Sequence, residues 1–171
     1  RLVARRGQLM NELKLKDPGA MVAVMAEASV VEPFVSRVPG IAVANHNHPT
    51  QVVLSGTTAG IEQVQGLLQQ AGLKFSRLDV SHAFHSPLMA GIDEGMRKLV
   101  AELSIHAEHR PVVSCISGRT YDSPADAKAI WVKHATAPVR FVDGLESCVA
   151  LGASIFVQAG AGNALTSFAR G

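Results

Sequence analysis

The sequence predicts a mixed α/β fold in which a small unit interrupts a larger one. Some segments repeat apolar residues at helical spacing, while others are short apolar runs bounded by turn residues, as strands are. The order of these segments changes near residue 81. Of the 171 residues, 47% are hydrophobic and 18% are charged, which is enough for a substantial core.

The small unit is predicted over residues 17–80. The sequence predicts, in order, strand 21–25, helix 30–38, strand 41–45, strand 51–55, helix 59–70 and strand 74–80. Pro39-Gly40 and Gly72 end the two helices. This β-α-β-β-α-β order is the ferredoxin-like one.

The larger unit is predicted over residues 1–16 and 81–171. A helix is expected over 1–14, and after residue 81 helices and strands alternate as in a parallel sheet covered on both faces. The expected elements are helix 87–103, strand 112–116, helices 127–134 and 142–151, strand 154–158 and helix 164–170.

Composition argues against two classes of partner. Lys and Arg exceed Asp and Glu by only 16 to 14, and no long basic run occurs, so no nucleic-acid partner is predicted. The most apolar run, residues 148–162, is too short for a membrane span. Cys115 and Cys148 have neither metal-site spacing nor the density of a disulfide scaffold, so we expect a cytoplasmic protein.

The stretch SHAFHSPLM at residues 81–89 carries the strongest chemical signal. Ser86-Pro87 is a typical helix start, which places His85 at a helix N-terminus, where a neutral, proton-accepting imidazole is favoured. By spacing alone, His85 is either a general base or a junction histidine bonded to backbone. His82 and His85 lack further nearby metal ligands, so no metal site is predicted.

SHAFHSPLM resembles the signature of acyltransferase domains in modular polyketide synthases, which are relatives of malonyl-CoA:acyl-carrier-protein transacylase. Further segments agree with that family in order, so the resemblance covers nearly the whole chain: RGQLM from Arg6, NHNHP from Asn45 followed by QVVLSG, WVKH from Trp131 followed by PVRF, and FVQAG from Phe156. The resemblance implies a ferredoxin-like subdomain (17–80) inserted in a partial α/β-hydrolase-like acyltransferase subdomain (1–16 and 81–171).

The reaction implied by the resemblance is a two-step acyl transfer. A serine takes a malonyl group, with methylmalonyl as the alternative, from coenzyme A and passes it to the phosphopantetheine thiol of an acyl carrier protein. Coenzyme A and phosphopantetheine would therefore be parts of substrates, and no bound cofactor is expected. The implied partners are the carrier protein, malonyl-CoA and a neighbouring ketosynthase domain of the parent synthase.

The resemblance also assigns roles to residues. His85 matches the base, and His134 matches the position whose main-chain carbonyl orients that base. Arg6 matches the arginine that holds the free malonyl carboxylate through two parallel hydrogen bonds.

Four more residues are candidates for substrate binding. Asn45 and Asn47 flank a predicted turn, so turn chemistry and a binding role both explain them. His82 and Phe84 match positions that accompany malonyl selection in the family, and a phenyl group would narrow the space beside the acyl α-carbon.

The nucleophile of the family is absent from the sequence. The family's serine lies in a Gly-x-Ser-x-Gly turn that does not occur here, so we expect a C-terminal portion of an acyltransferase that is inactive alone and exposes a sheet edge. The alternative is a stand-alone ferredoxin-like binding or interaction module in which these residues are incidental. The acyltransferase hypothesis requires Arg6 and His85 to lie on one cleft.

Overall fold

The structure is a computed structural model that describes residues 2–106 and 110–170. The helices are α1 (Leu2–Glu12), α2 (Ala28–Val35), α3 (Thr58–Gln70), α4 (Asp93–Ala101), α5 (Pro124–Val132), α6 (Phe141–Ala150) and α7 (Ala164–Phe168), with a 3₁₀ helix at Pro87–Ile92. The strands are β1 (Ala20–Val24), β2 (Ile41–His48), β3 (Gln51–Gly56), β4 (Phe75–Arg77), β5 (Val113–Ser114), β6 (Arg119–Thr120) and β7 (Val139–Arg140).

The main sheet has the order β4-β1-β3-β2-β7. Its first four strands pair antiparallel, and together with α2 and α3 they form the β-α-β-β-α-β arrangement predicted for residues 17–80. β7 adds to β2 in parallel, with Asn45 opposite Val139 and His46 opposite Arg140. The predicted mixed α/β class is confirmed, whereas the limits of the two units stay a prediction.

The two faces of this sheet have different neighbours because successive side chains of a strand point to opposite faces. Val22, Val24, Val52 and Leu54 are fully buried in a core with residues of α2 and α3. On the other face Met21, Ala23, Ala44 and Val53 pack with Leu78 and Phe84. This second face forms part of the wall of the site described below.

A second core joins the helices outside the sheet. Met89, Ile92, Met96, Leu99, Val100, Val132 and Ala135 form it, and Leu9 and Met10 of α1 pack against it. Pro124 begins α5, and Ser123 caps that helix by accepting a hydrogen bond from the Asp126 N–H at 3.1 Å. Phe84 packs both against this helical core and against the cluster on the second face of the sheet.

Two predicted strands of the larger unit are wrong in whole or in part. Residues 154–158 form no strand, and Ile155 and Val157 are 81% and 86% exposed. No strand of the described residues lies beside this segment to pair with its backbone groups. The strand expected at 112–116 is limited to β5, which pairs antiparallel with β6 in a hairpin rather than in a parallel sheet.

The described residues contain no helix with the length and apolar character needed to cross a bilayer.

Asp17 fixes the start of α3. Its carboxylate accepts hydrogen bonds from the Thr58 hydroxyl at 2.6 Å, the Thr58 N–H at 2.9 Å and the Gly19 N–H at 2.8 Å. These bonds favour the ionised form and hold the pKa of Asp17 below its ordinary value. Asp17 therefore ties the chain before β1 to a helix that begins forty residues later.

We expect Asp17→Ala to lower the melting temperature, because two donors at the helix start lose their acceptor. A carboxylate with a lowered folded pKa adds stability above its unfolded pKa and loses it as the pH falls through the folded pKa. The variant and the parent chain should therefore differ most at neutral pH and converge in acid. Thermal unfolding followed by circular dichroism between pH 2 and 7 measures this. Asp79→Ala is the control, and an equal loss in that exposed variant would contradict the assignment.

Candidate active site

His85 lies between the end of the sheet and the 3₁₀ helix. Pro87 occupies the first turn of that helix, as predicted. Ser86, however, is buried, and its hydroxyl donates to the Ala83 carbonyl at 2.6 Å instead of capping the helix. The segment is anchored to the sheet side by the Ala83 N–H, which donates to the Pro18 carbonyl at 2.8 Å.

The His85 ring has a defined tautomer. Its Nδ1 lies 2.9 Å from the carbonyl oxygen of Ala137. A carbonyl oxygen only accepts hydrogen bonds, so in the neutral ring Nδ1 carries the proton and Nε2 keeps its lone pair. The imidazole is therefore held by one nitrogen and can accept a proton at the other.

The predicted role of His134 as the orienting carbonyl is wrong, because the ring of His85 is bonded to Ala137. Helix α5 ends at Val132, and residues 133–137 form a turn in which the Lys133 carbonyl accepts the Ala137 N–H at 2.8 Å. This turn brings the carbonyl three residues beyond His134 to the ring.

The His134 side chain is half-buried close to the site. Burial, together with the positive charges of Arg6 and of protonated His85, lowers its pKa to about 4. His134 is therefore a neutral neighbour of the base at physiological pH.

The backbone of His85 is strained. Its φ is +57°, and among residues 2–106 and 110–170 it alone of the non-glycine residues has a positive φ. Such a conformation costs roughly 1–3 kcal/mol and is concentrated at functional sites. The surrounding contacts must therefore hold it in place.

The electrostatic environment of His85 also suits a base. Burial lowers the pKa of the imidazole, and the positive charge of Arg6 lowers it further, whereas the hydrogen bond to Ala137 opposes the shift. The net effect keeps the ring neutral at physiological pH, which is the form that accepts a proton.

One cavity of about 430 Å³ collects five of the seven predicted site residues: Arg6, Asn45, Asn47, Phe84 and His85. Apolar side chains complete its wall: Met10, Met21, Val53, Leu78 and Val80. Arg6 and His85 share this cavity, which is the arrangement that the acyltransferase hypothesis requires. A few polar groups on an apolar wall are typical of small-molecule sites.

Arg6 supplies an unpaired cation. Its Nε is buried and has no hydrogen-bond partner, and no carboxylate among the described residues forms an ion pair with its guanidinium. The pKa of Arg6 is lowered by burial. A half-buried guanidinium whose buried Nε has no acceptor among the described residues is a ready site for a carboxylate, which would supply the missing hydrogen bonds.

Asn45 and Asn47 lie on a strand rather than beside a turn, because β2 continues to His48 and the turn is reduced to Pro49 and Thr50. Irregular pairing of β2 with β3 falls between Val43 and Asn45 and again between His46 and His48. Neither asparagine side chain is hydrogen-bonded to another described residue. Their amides are available to a ligand in the cavity.

His82 does not line the cavity. Its ring lies 5.9 Å from that of Phe84, centroid to centroid, and its Nδ1 is 3.0 Å from the Ser81 hydroxyl. His82 therefore contacts the cavity wall through Phe84 and not a ligand directly. No group of three or more metal-ligating side chains occurs in the part of the chain that the structure describes.

Sequence reasoning missed the Ala137 carbonyl, the positive φ of His85 and the methionines of the wall. A main-chain carbonyl can belong to any residue type, so nothing in the sequence marks Ala137 as the partner of His85. Met10 and Met21 read as ordinary core residues, which they also are in part.

The chain matches the family model described as an acyl transferase domain over residues 1–168. It is 39% identical over 171 residues to the spectinabilin polyketide synthase system protein NorB of Streptomyces orinoci, covering 99% of this chain and 8% of that protein. It is 30% identical over 174 residues to the malonyl CoA-acyl carrier protein transacylase of Bacillus subtilis strain 168, covering 98% of this chain and 55% of that protein.

Among solved structures, the acyltransferase domain from the second module of the salinomycin polyketide synthase superposes with a TM-score of 0.88 at 40% identity. That match covers 99% of this chain and 39% of the other. The 171 residues thus span about half or less of the proteins they match. The family model covers nearly all of them, and the chain belongs to the acyl transferase domain family.

Proposed function

We propose that these residues form the base-bearing part of an acyltransferase that moves a malonyl group from coenzyme A to the phosphopantetheine thiol of an acyl carrier protein. The observation that carries the proposal is the shared cavity of Arg6 and His85. An unpaired cation for a carboxylate and a neutral imidazole for proton transfer are the two groups that malonyl transfer through a serine needs.

In the first step, Nε2 of His85 takes the proton of a serine hydroxyl as the oxygen attacks the malonyl thioester carbon. The serine comes from outside these 171 residues, since no Gly-x-Ser-x-Gly turn occurs in the sequence. The carbon–sulfur bond breaks, and the imidazolium returns the proton to the leaving thiolate of coenzyme A. In the second step the phosphopantetheine thiol gives its proton to Nε2 as its sulfur attacks the malonyl ester carbon. The carbon–oxygen bond to the serine breaks, and the imidazolium returns the proton to the serine oxygen.

Arg6 would hold the free carboxylate of malonyl during both steps. Its positive charge also disfavours a long-lived imidazolium, because it lowers the pKa of His85. The proton taken from the serine is therefore readily given up to the leaving thiolate.

The expected partners follow from the same chemistry. Malonyl-CoA and the carrier protein are substrates, a neighbouring ketosynthase domain is expected in a synthase, and the compartment is the cytoplasm. The similarity to a malonyl CoA-acyl carrier protein transacylase supports malonyl-CoA and the carrier protein as partners. No bound cofactor is needed for the two steps.

A chimera tests the proposal. In the salinomycin acyltransferase domain, the segment that matches this chain is replaced by the 171 residues. The rest of that domain then supplies the part of the fold that carries the serine. Incubation with labelled malonyl-CoA should leave a covalent label on the chimera, and addition of a carrier protein should transfer that label to the carrier. A folded chimera that takes no label would contradict the proposed function.

Phe84 and His82 give a prediction on acyl choice. Phe84→Ser combined with His82→Tyr should raise kcat/KM for methylmalonyl-CoA relative to malonyl-CoA, because the smaller side chain opens the cavity wall beside the acyl α-carbon. A methyl group that fills a pocket is worth about 1–3 kcal/mol, or roughly 10- to 200-fold. Competition between the two thioesters in the chimera measures the ratio. An unchanged ratio in the folded double variant would refute the prediction.

A further inference from the structure

The base is held at two points by one turn. The backbone N–H of His85 donates to the Ala135 carbonyl at 2.8 Å, and its Nδ1 bonds to the Ala137 carbonyl at 2.9 Å. The ring orientation therefore depends on where residues 133–137 lie relative to the segment that begins at His85.

Lys133 organises that turn. Its carbonyl accepts the N–H groups of Thr136 at 3.0 Å and Ala137 at 2.8 Å and the Thr136 hydroxyl at 3.3 Å. Its side chain forms an ion pair with Asp93, the first residue of α4. The 3₁₀ helix that leads to Asp93 starts two residues after His85.

Asp93 is well placed to hold this partner. Its side chain is only 13% exposed, and Oδ1 is buried without a hydrogen bond to the rest of the described chain. Within residues 2–106 and 110–170, the ammonium of Lys133 on Oδ2 is therefore the contact that compensates its charge. The N-terminus of α4 adds a favourable field for a carboxylate. The Lys133 side chain is 56% exposed, so the cost of separating the pair falls mainly on the Asp93 carboxylate, which would keep its charge in a largely buried position.

We propose that Asp93 and Lys133 are a positioning pair that fixes the distance between the segment 85–93 and the turn 133–137, and so holds His85 with Nδ1 on Ala137 and Nε2 free. The proposal rests on the proposed function only in calling His85 a base. The segment 85–93 and the turn 133–137 are joined at one end by the contacts of His85 with Ala135 and Ala137, and at the other end by this ion pair. It also supplies the restraint that the left-handed backbone of His85 requires.

Lys128 provides a matched control. It lies on α5, the helix that ends just before Lys133, and its Nζ also reaches α4, at the Ala101 carbonyl 3.4 Å away. That contact is at the opposite end of α4 from Asp93. Loss of Lys128 removes a lysine contact between the same two helices without touching the turn.

The experiment is a nitrogen NMR titration of the histidine rings in the ¹⁵N-labelled chain, which needs no acyl transfer. We expect a single neutral tautomer of His85 with the proton on Nδ1 in the parent chain, Lys133→Arg and Lys128→Met. In Lys133→Met and Asp93→Asn the single tautomer should be lost. The pKa of His85 should then change, since both the burial that lowers it and the Ala137 hydrogen bond that opposes the lowering are altered. Arg6 and His134 face the ring and are unchanged in all variants.

The proposal is overturned if Lys133→Met and Asp93→Asn keep the parent tautomer and pKa. It is equally overturned if Lys128→Met perturbs them as much, because the effect would then be general loosening of the helices. Should Lys133→Met fail to fold, Lys133→Gln gives the same reading with a polar side chain of similar length. An inactive chimera in which His85 keeps its single tautomer would refute the proposed function and leave the positioning role of the pair standing.

Discussion

Replacement of His85 by alanine in the chimera is expected to slow malonyl transfer by about 10² to 10⁴-fold, the usual contribution of a positioned general base. The His85 pKa is below its ordinary value, so the neutral, active form should already dominate at mildly acidic pH. Transfer should accordingly rise with pH through that lowered pKa and be flat above it. Rapid-quench measurement of the labelled intermediate between pH 4 and 8 gives both the rate loss in the variant and the pH profile of the parent.

Two further variants separate chemistry from folding. His85→Asn retains a residue that tolerates the left-handed backbone region, so it should fold like the parent and still lack the base. His48→Ala removes a histidine outside the cavity, whose Nδ1 contacts Thr50, and should transfer malonyl at the parental rate. If His85→Asn retained full activity, His85 would be a junction histidine and not the base.

Replacement of Arg6 by alanine is expected to lower kcat/KM for malonyl-CoA while leaving acetyl-CoA, which has no free carboxylate, nearly unchanged. Truncation of one partner of a buried, hydrogen-bonded charge pair typically costs about 2–5 kcal/mol, or roughly 30-fold to several thousand-fold. Arg6→Lys should recover only part of the loss, because an ammonium does not reproduce two parallel hydrogen bonds. The comparison of the two thioesters on each variant measures the effect.

Arg5→Ala is the control for this prediction. Arg5 is adjacent on α1 but lies on the exposed face, where its guanidinium is 3.1 Å from Glu12. Its loss should change kcat/KM for neither malonyl-CoA nor acetyl-CoA, since exposed ion pairs contribute little. Equal losses for malonyl and acetyl in Arg6→Ala would mean that Arg6 supports the fold and not the substrate carboxylate.

The sequence predicted the small sheet well because its signals are local. The strands are short apolar runs, Pro39-Gly40 and Gly72 mark helix ends, and each element is completed by neighbours within residues 17–80. Residues 154–158 have an equally strong apolar pattern but form no strand. Strand pairing depends on a neighbour, and the described residues provide none there.

The parts of the site that depend on the type of side chain were predictable from the sequence. The parts that depend on backbone geometry were not. Arg6, Phe84 and His85 are recognisable residue types in a recognisable order, and the structure places them around one cavity. The resemblance assigns the carbonyl that holds His85 to His134, because a main-chain contact leaves no side-chain pattern by which a match of sequences can place it. The turn at residues 133–137 brings the Ala137 carbonyl to the ring instead.

The parallel pairing of β7 with β2 has a mechanical consequence. Asn45, on the cavity wall, is opposite Val139, two residues after the carbonyl that holds the base. β7, which directly follows the turn that orients His85, is therefore hydrogen-bonded to the sheet that holds the cavity wall, and it cannot move away from β2 without breaking backbone hydrogen bonds. Slow amide hydrogen exchange should extend from β3 through β2 into β7, and thermal fluctuations that widen the cavity should arise on its α1 side.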